Sequence, residues 1–95
     1  MSVINWLEEW YKSNCDGEWE HLFGVRIDTL DNPGWSITID LEDTTSESKD
    51  FKMIRFDNGD DDWMFCRVEN NAFKGSGDPN KLNQILGIFK KWIES

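Results

Sequence analysis

Phe23-Gly24-Val25-Arg26-Ile27-Asp28-Thr29-Leu30-Asp31-Asn32-Pro33-Gly34-Trp35-Ser36-Ile37-Thr38-Ile39-Asp40-Leu41 reads as two alternating runs joined by a turn. Phe23, Val25 and Ile27 share one face of the first run, and Gly24, Arg26 and Asp28 share the other. Trp35, Ile37, Ile39 and Leu41 share one face of the second, with Ser36, Thr38, Asp40 and Glu42 opposite. A period of two marks a half-buried strand, because successive side chains point to opposite faces. Between the runs, Pro33 presets φ for the second position of a turn and Gly34 supplies a left-handed third position, a type II pattern. The stretch predicts an antiparallel hairpin and commits the fold to a sheet.

Working outward, Val3, Trp6, Leu7 and Trp10 recur at helical spacing behind Ser2, a natural N-cap. They predict a helix from about Val3 to Ser13. Asn14-Cys15-Asp16-Gly17 ends it, with Gly17 free to take positive φ. On the other side, the polar residues Asp43 to Asp50 lead to a third strand, Phe51 to Phe56. Asp57-Asn58-Gly59-Asp60 is the second turn, Asn-Gly being the preferred pair of a tight hairpin. Trp63 to Glu69 is a fourth strand, with Met64, Cys66 and Val68 on one face and Trp63, Phe65 and Arg67 on the other. Phe51 and Met53 are candidates to join Trp63 and Phe65 on an open sheet face. Lys74-Gly75-Ser76-Gly77 reads as a loop. Asp78 and Pro79 then suit the N-cap and first position of a final helix to Ile93, with Leu82, Ile85, Leu86, Phe89, Trp92 and Ile93 as its apolar stripe. The expected fold is a single α+β domain over residues 1–95, in the order helix, four strands, helix. It has two layers, a four-stranded antiparallel meander with both helices on one face.

The 95 residues carry 10 Lys+Arg and 19 Asp+Glu, a net charge of −9. That balance opposes binding to nucleic acid or to an anionic membrane. Six Trp and six Phe exclude disorder, which is poor in aromatics. No apolar run approaches the roughly 20 residues that span a bilayer. The first residues have no basic signal region, and two cysteines make no disulfide framework. A reduced cytoplasmic protein is expected. The acid is concentrated in residues 28–62, which hold eleven acids and three bases.

The densest acid, Asp57 to Asp62, lacks the alternating spacing and closing Glu of a calcium loop. Two Cys and one His are too few for a zinc site. Cys15 beside His21 suggests a thiol nucleophile, but Asp16, Glu18 and Glu20 would raise rather than lower its pKa. Gly75-Ser76-Gly77 lacks the Lys of a phosphate loop. No metal and no cofactor is expected, and an enzyme is the minority reading.

Three strings, Trp6-Leu7-Glu8-Glu9-Trp10-Tyr11, Cys15-Asp16-Gly17-Glu18-Trp19-Glu20-His21 and Thr29-Leu30-Asp31-Asn32-Pro33-Gly34-Trp35, resemble the Imm53 family of bacterial immunity proteins. Asp61-Asp62-Trp63 and the Phe73-to-Pro79 stretch are similar too, so the resemblance covers nearly the whole chain. It implies a cytoplasmic protein of a polymorphic toxin system that binds and blocks a cognate toxin domain, often a nuclease. Its motif residues, Cys15, Asp16, Gly17, Trp19, Glu20 and His21 with Asp31, Asn32, Pro33, Gly34 and Trp35, are equally suited to building turns and packing.

An acidic inhibitor is the complement of a basic nuclease, so charge and resemblance converge. The expected toxin-binding set is Glu42, Asp43, Asp57, Asp60, Asp61 and Asp62, with Trp63 as an apolar anchor. The expected partner is a basic protein toxin domain, with the chain itself a monomer or weak homodimer. The alternative is a small thiol-dependent enzyme of sulfurtransferase type using Cys15.

Overall fold

The N-terminal apolar spacing forms helix α1, Val3–Asn14, and the Ser2 hydroxyl accepts from the Asn5 amide at 3.1 Å, as its N-cap. The structure, a computed structural model, describes residues 2–95. A short helix absent from the sequence reading, α2, follows at Trp19–Leu22. Strands β1 (Val25–Leu30) and β2 (Gly34–Asp40) pair antiparallel as the hairpin pattern requires, with Ile27 opposite Ile37. Strands β3 (Ile54–Asp57), β4 (Trp63–Glu69) and β5 (Ala72–Gly77) and helix α3 (Leu82–Glu94) complete the chain.

The sheet therefore has five strands rather than four, in the order β1-β2-β5-β4-β3. It is not the expected meander. Residues 41–53 carry the chain from β2 to the far edge, and β3, β4 and β5 then fold back until β5 lies against β2. The segment read as a loop is thus a central strand, paired on both sides: Ile37 and Cys66 each lie opposite Gly75. Asn70 and Asn71, both at positive φ, turn β4 into β5, the conformation of a type I′ hairpin.

Glycine made this strand hard to read and makes it work. A Cβ on Gly75 would strike Cγ2 of Ile85, and one on Gly77 would strike Cβ of Lys81. The absent side chains let α3 lie directly on β5. Both α1 and α3 cover the same sheet face, where Ile37, Ile39, Leu41, Met64, Cys66, Phe73, Ile85, Leu86 and Phe89 are buried. Phe89 meets Trp6, Trp10, Phe73 and Trp92 at ring separations of 5.1 to 6.2 Å.

Four boundaries move. Gly34 has no left-handed φ, so the turn is not type II; the Asn32–Pro33 bond within it is cis. Gly34 already belongs to β2, and a Cβ there would strike the Gly77 carbonyl oxygen and the Trp63 ring. The second turn is a five-residue loop, since Asp57 pairs with Trp63, and it is closed by the Asn58 amide on the Asp62 carbonyl at 2.8 Å. The third strand starts at Ile54 because Phe51 packs into the core against Phe73 and Trp92, at 5.5 and 5.4 Å. Phe51 is therefore absent from the open face. The last helix starts at Leu82 because the Asp78 carboxylate is turned inward and shapes residues 78–81 as a turn.

Lys49 fastens the long connection. Its ammonium donates to the carbonyls of Trp92 at 2.6 Å and Ser95 at 3.0 Å, at the negative end of the α3 dipole.

Phe89→Ala is expected to lower stability by about 3–5 kcal/mol, measured by urea unfolding. Gly75→Ala is expected to cost about 1–3 kcal/mol through overpacking. Combining it with Ile85→Leu, which removes the opposing Cγ2, should cost less than the two changes summed.

Candidate functional site

The sheet sorts the acids between its two ends. Leu30 opposite Gly34, Gly77 opposite both Trp35 and Met64, and Asp57 opposite Trp63 define one end. There the 31–33 turn, the 58–62 loop and the start of α3 come together. Glu42 and Asp43 follow the far end of β2, seven residues away, roughly 20 Å at strand rise. The expected toxin-binding set is therefore split, with Asp57, Asp60, Asp61, Asp62 and Trp63 at one end and Glu42 and Asp43 at the other.

Within the first group the carboxylates do different things. Asp78 is wholly buried and accepts from Lys81 Nζ at 2.7 Å, the Asn80 amide at 2.8 Å and the Trp63 amide at 3.0 Å. Lys81 also reaches Asp62 at 3.0 Å. Lys81 holds both carboxyls below their ordinary value, and they hold its ammonium above its own. Asp57 accepts from the Gly59 amide, and Asp62 from the Asn58 side chain. Asp60 and Asp61 are exposed and have no hydrogen bond or ion pair among the described residues. Trp63 is half-buried, with its ring against Gly34.

The open sheet face is close to neutral. Phe65 lies there under two cations, Arg55 at 5.4 Å and Arg67 at 4.5 Å. Arg26 pairs with Asp40, and Lys74 and Arg67 approach Glu69. Met53 is exposed.

The motif at 15–21 builds a corner. Asp16 accepts from the amides of Glu18 and Trp19, and Glu20 reaches back to those of Asp16 and Gly17, a reciprocal cap. The Trp19 and Glu18 amides hold the Asp16 carboxyl below its ordinary range, and Glu20's own amide with those of Asp16 and Gly17 does the same for Glu20. Gly17 takes φ +93. Trp19 is buried against Trp10, Tyr11 and Phe23, and its indole donates to the Glu42 carbonyl at 2.8 Å. The 29–35 motif is structural in the same way, since the Trp35 indole donates to the Pro79 carbonyl at 2.9 Å. Asp31 and Asn32 are exposed in its turn.

Residues 4–94 match the family model described as immunity protein 53. The chain belongs to the Imm53 family. The family is one of immunity proteins, which bind a cognate toxin. No curated protein and no solved structure matches the chain.

The Cys15 Sγ donates to the Tyr11 carbonyl at 3.3 Å, and among the described residues no hydrogen bond joins it to the exposed His21. Burial pushes the Cys66 thiol up to about 11 in the core. Among the described residues no group of three His, Cys, Asp or Glu is arranged to hold a metal. Among the described residues no helix is long and apolar enough to cross a membrane. The sequence reading missed Lys81 and the burial of Asp78. An Asp-Pro before a helix reads as a cap, and nothing local shows that the chain will fold a lysine and a second strand over it.

Asp62 and Asp78 titrate below the ordinary 3.8, so their stabilisation is whole above that value and is lost as the pH falls through the lowered values. The melting temperature should fall as the pH is taken from 5 to 2. Lys81→Met removes the main cause of both shifts, so it should start from a lower melting temperature and show a shallower acid slope.

Proposed function

We propose that this immunity protein occludes a basic, nuclease-type toxin domain with the sheet end that carries the 58–62 loop, acting in the cytoplasm where such a toxin would act. One observation carries the reading: Asp60 and Asp61 are exposed and uncommitted beside Trp63, while Asp57, Asp62 and Asp78 are occupied in shaping the surface beneath them. Asp31 adds a further exposed carboxylate at the same end. The loop is closed by its own backbone bonds, so its charges are presented with little ordering cost on binding. Trp63 offers a large apolar edge amid the acids, the composition of an interface anchor. The near-neutral open face supports the same choice, because its cations are paired with acids or held over an aromatic ring. Lys and Arg of the toxin would meet the acids, and the bulk of the domain would close the nucleic-acid groove.

Asp60→Lys combined with Asp61→Lys should slow association with the purified toxin by about tenfold or more at low salt and flatten its salt dependence. Glu42→Lys with Asp43→Lys, at the other end of the sheet, should leave the rate near that of the parent chain. Stopped-flow association across a salt series checks both. The opposite ranking would move the docking surface to the Glu42 end. Protection of cells expressing the toxin should follow the same order.

A further inference from the structure

Strand β1 is an open edge of the sheet, hydrogen-bonded among the described residues to β2 alone. The Gly24 carbonyl accepts from the Asp40 amide, so Gly24, Arg26, Asp28 and Leu30 turn their backbone groups toward β2 by the antiparallel alternation. Val25, Ile27 and Thr29 turn theirs outward. Beside this edge, on the helix side, runs an open groove of about 640 Å³ between α1, α2 and β1. Four of the chain's exposed large apolar residues line it: Leu22 at 77% exposure, Ile4 at 48%, and Ile27 and Tyr11 at 38% each. An unpaired backbone row beside an apolar groove is a site for strand addition.

The charges name the occupant. We propose that β1 pairs antiparallel with β1 of a second copy of this chain, about a two-fold axis at Ile27. On that register Ile27 meets Ile27 and Val25 meets Thr29 as hydrogen-bonded pairs, using every outward amide and carbonyl of the three residues. Arg26 of each copy then lies opposite Asp28 of the other, as a non-hydrogen-bonded pair, where side chains stand closest. Moving the axis one residue either way sets Arg26 against Arg26 or Asp28 against Asp28, and both are repulsive. The strand is thus complementary to itself in one register, as a closed two-fold interface requires. Arg26 pairs with Asp40 within its own chain at 3.3 Å but remains half exposed, so its remaining donors are free to reach the second copy. On the helix side, Ile27, Ile4 and Leu22 of the two copies close over the axis. The two five-stranded sheets become one continuous sheet, leaving the 58–62 loops outside the joint.

The test needs no toxin, so it succeeds or fails apart from the docking reading above. Sedimentation velocity of the full chain across the micromolar range should show a monomer–dimer equilibrium, and a monomer throughout overturns the proposal. Asp28 is exposed and has no hydrogen bond or ion pair among the described residues, so Asp28→Lys removes no polar contact of the folded chain. It should weaken the dimer about tenfold or more, because Arg26 then faces Lys. Arg26→Glu should do the same from the other side. Mixing the two variants restores opposite charges at both crossings and should restore the dimer. A dimer unaffected by either variant, or a mixture that stays monomeric, overturns the register. If Arg26→Glu loses its circular dichroism signal, Ile27→Lys serves instead. It sets two lysines on the axis, and a dimer that survives it overturns the proposal.

Discussion

Helix α3 rests on a strand, β5, that is bare at two of the three positions facing it, Gly75 and Gly77, and the rest of the molecule is arranged around that contact. Gly75 and Gly77 are bare so that Ile85 and Lys81 can occupy the space. With α3 lowered onto β5, Phe89 reaches Phe73 below it and Trp6 and Trp10 of α1 beside it. One close approach thus sets the thickness of the whole domain. It also explains why the sheet is closed from both directions onto β5. With Phe73 as its one large core side chain, β5 is held by its two neighbours, β2 and β4, and by the helix above.

The same contact divides the acids. Lowering α3 brings Lys81 over Asp78 and Asp62, and the buried carboxylate is satisfied by one ammonium and two backbone amides. A buried pair with its hydrogen bonds complete is tolerated where an unpaired one would be costly. Asp57 and Asp62 are then occupied in holding the loop, while Asp60 and Asp61 are left exposed. Net charge alone treats these residues as equivalent. The tertiary structure separates those that hold the fold from those that face solvent. Two of the motifs that carry the Imm53 resemblance, 15–21 and 29–35, hold the fold in the same sense. Trp19 and Trp35 each fasten a distant loop through an indole hydrogen bond to a backbone carbonyl.

Where pattern is local, the sequence is a sufficient guide. Ser2 caps α1, Gly17 takes positive φ, the 23–41 stretch forms its hairpin, and the alternation of Trp63 to Glu69 puts Met64 and Cys66 inside and Phe65 outside. The family, too, is legible from the strings at 15–21 and 29–35. Where identity depends on a distant neighbour, local signals mislead. Ala72 to Gly77 has low strand propensity, and only packing under α3 and pairing on both sides make it a central strand. Asn70-Asn71 was the available sign that the chain turns back there. Gly34 looks like a turn residue, but its smallness answers to the Gly77 carbonyl and the Trp63 ring, more than forty and nearly thirty residues away.

The sequence by itself determined the class, the hairpin, helices α1 and α3, the covered face of β4 and the acidic character, because each follows from periodicity or composition within a few residues. Only the tertiary structure decided that β5 exists, that it lies between β2 and β4, that Asp78 is buried under Lys81, and that Glu42 and Asp43 stand a strand's length from the 58–62 loop. These depend on which surfaces come within a few ångströms of each other, and a glycine or an aspartate carries no local mark of what will be packed against it.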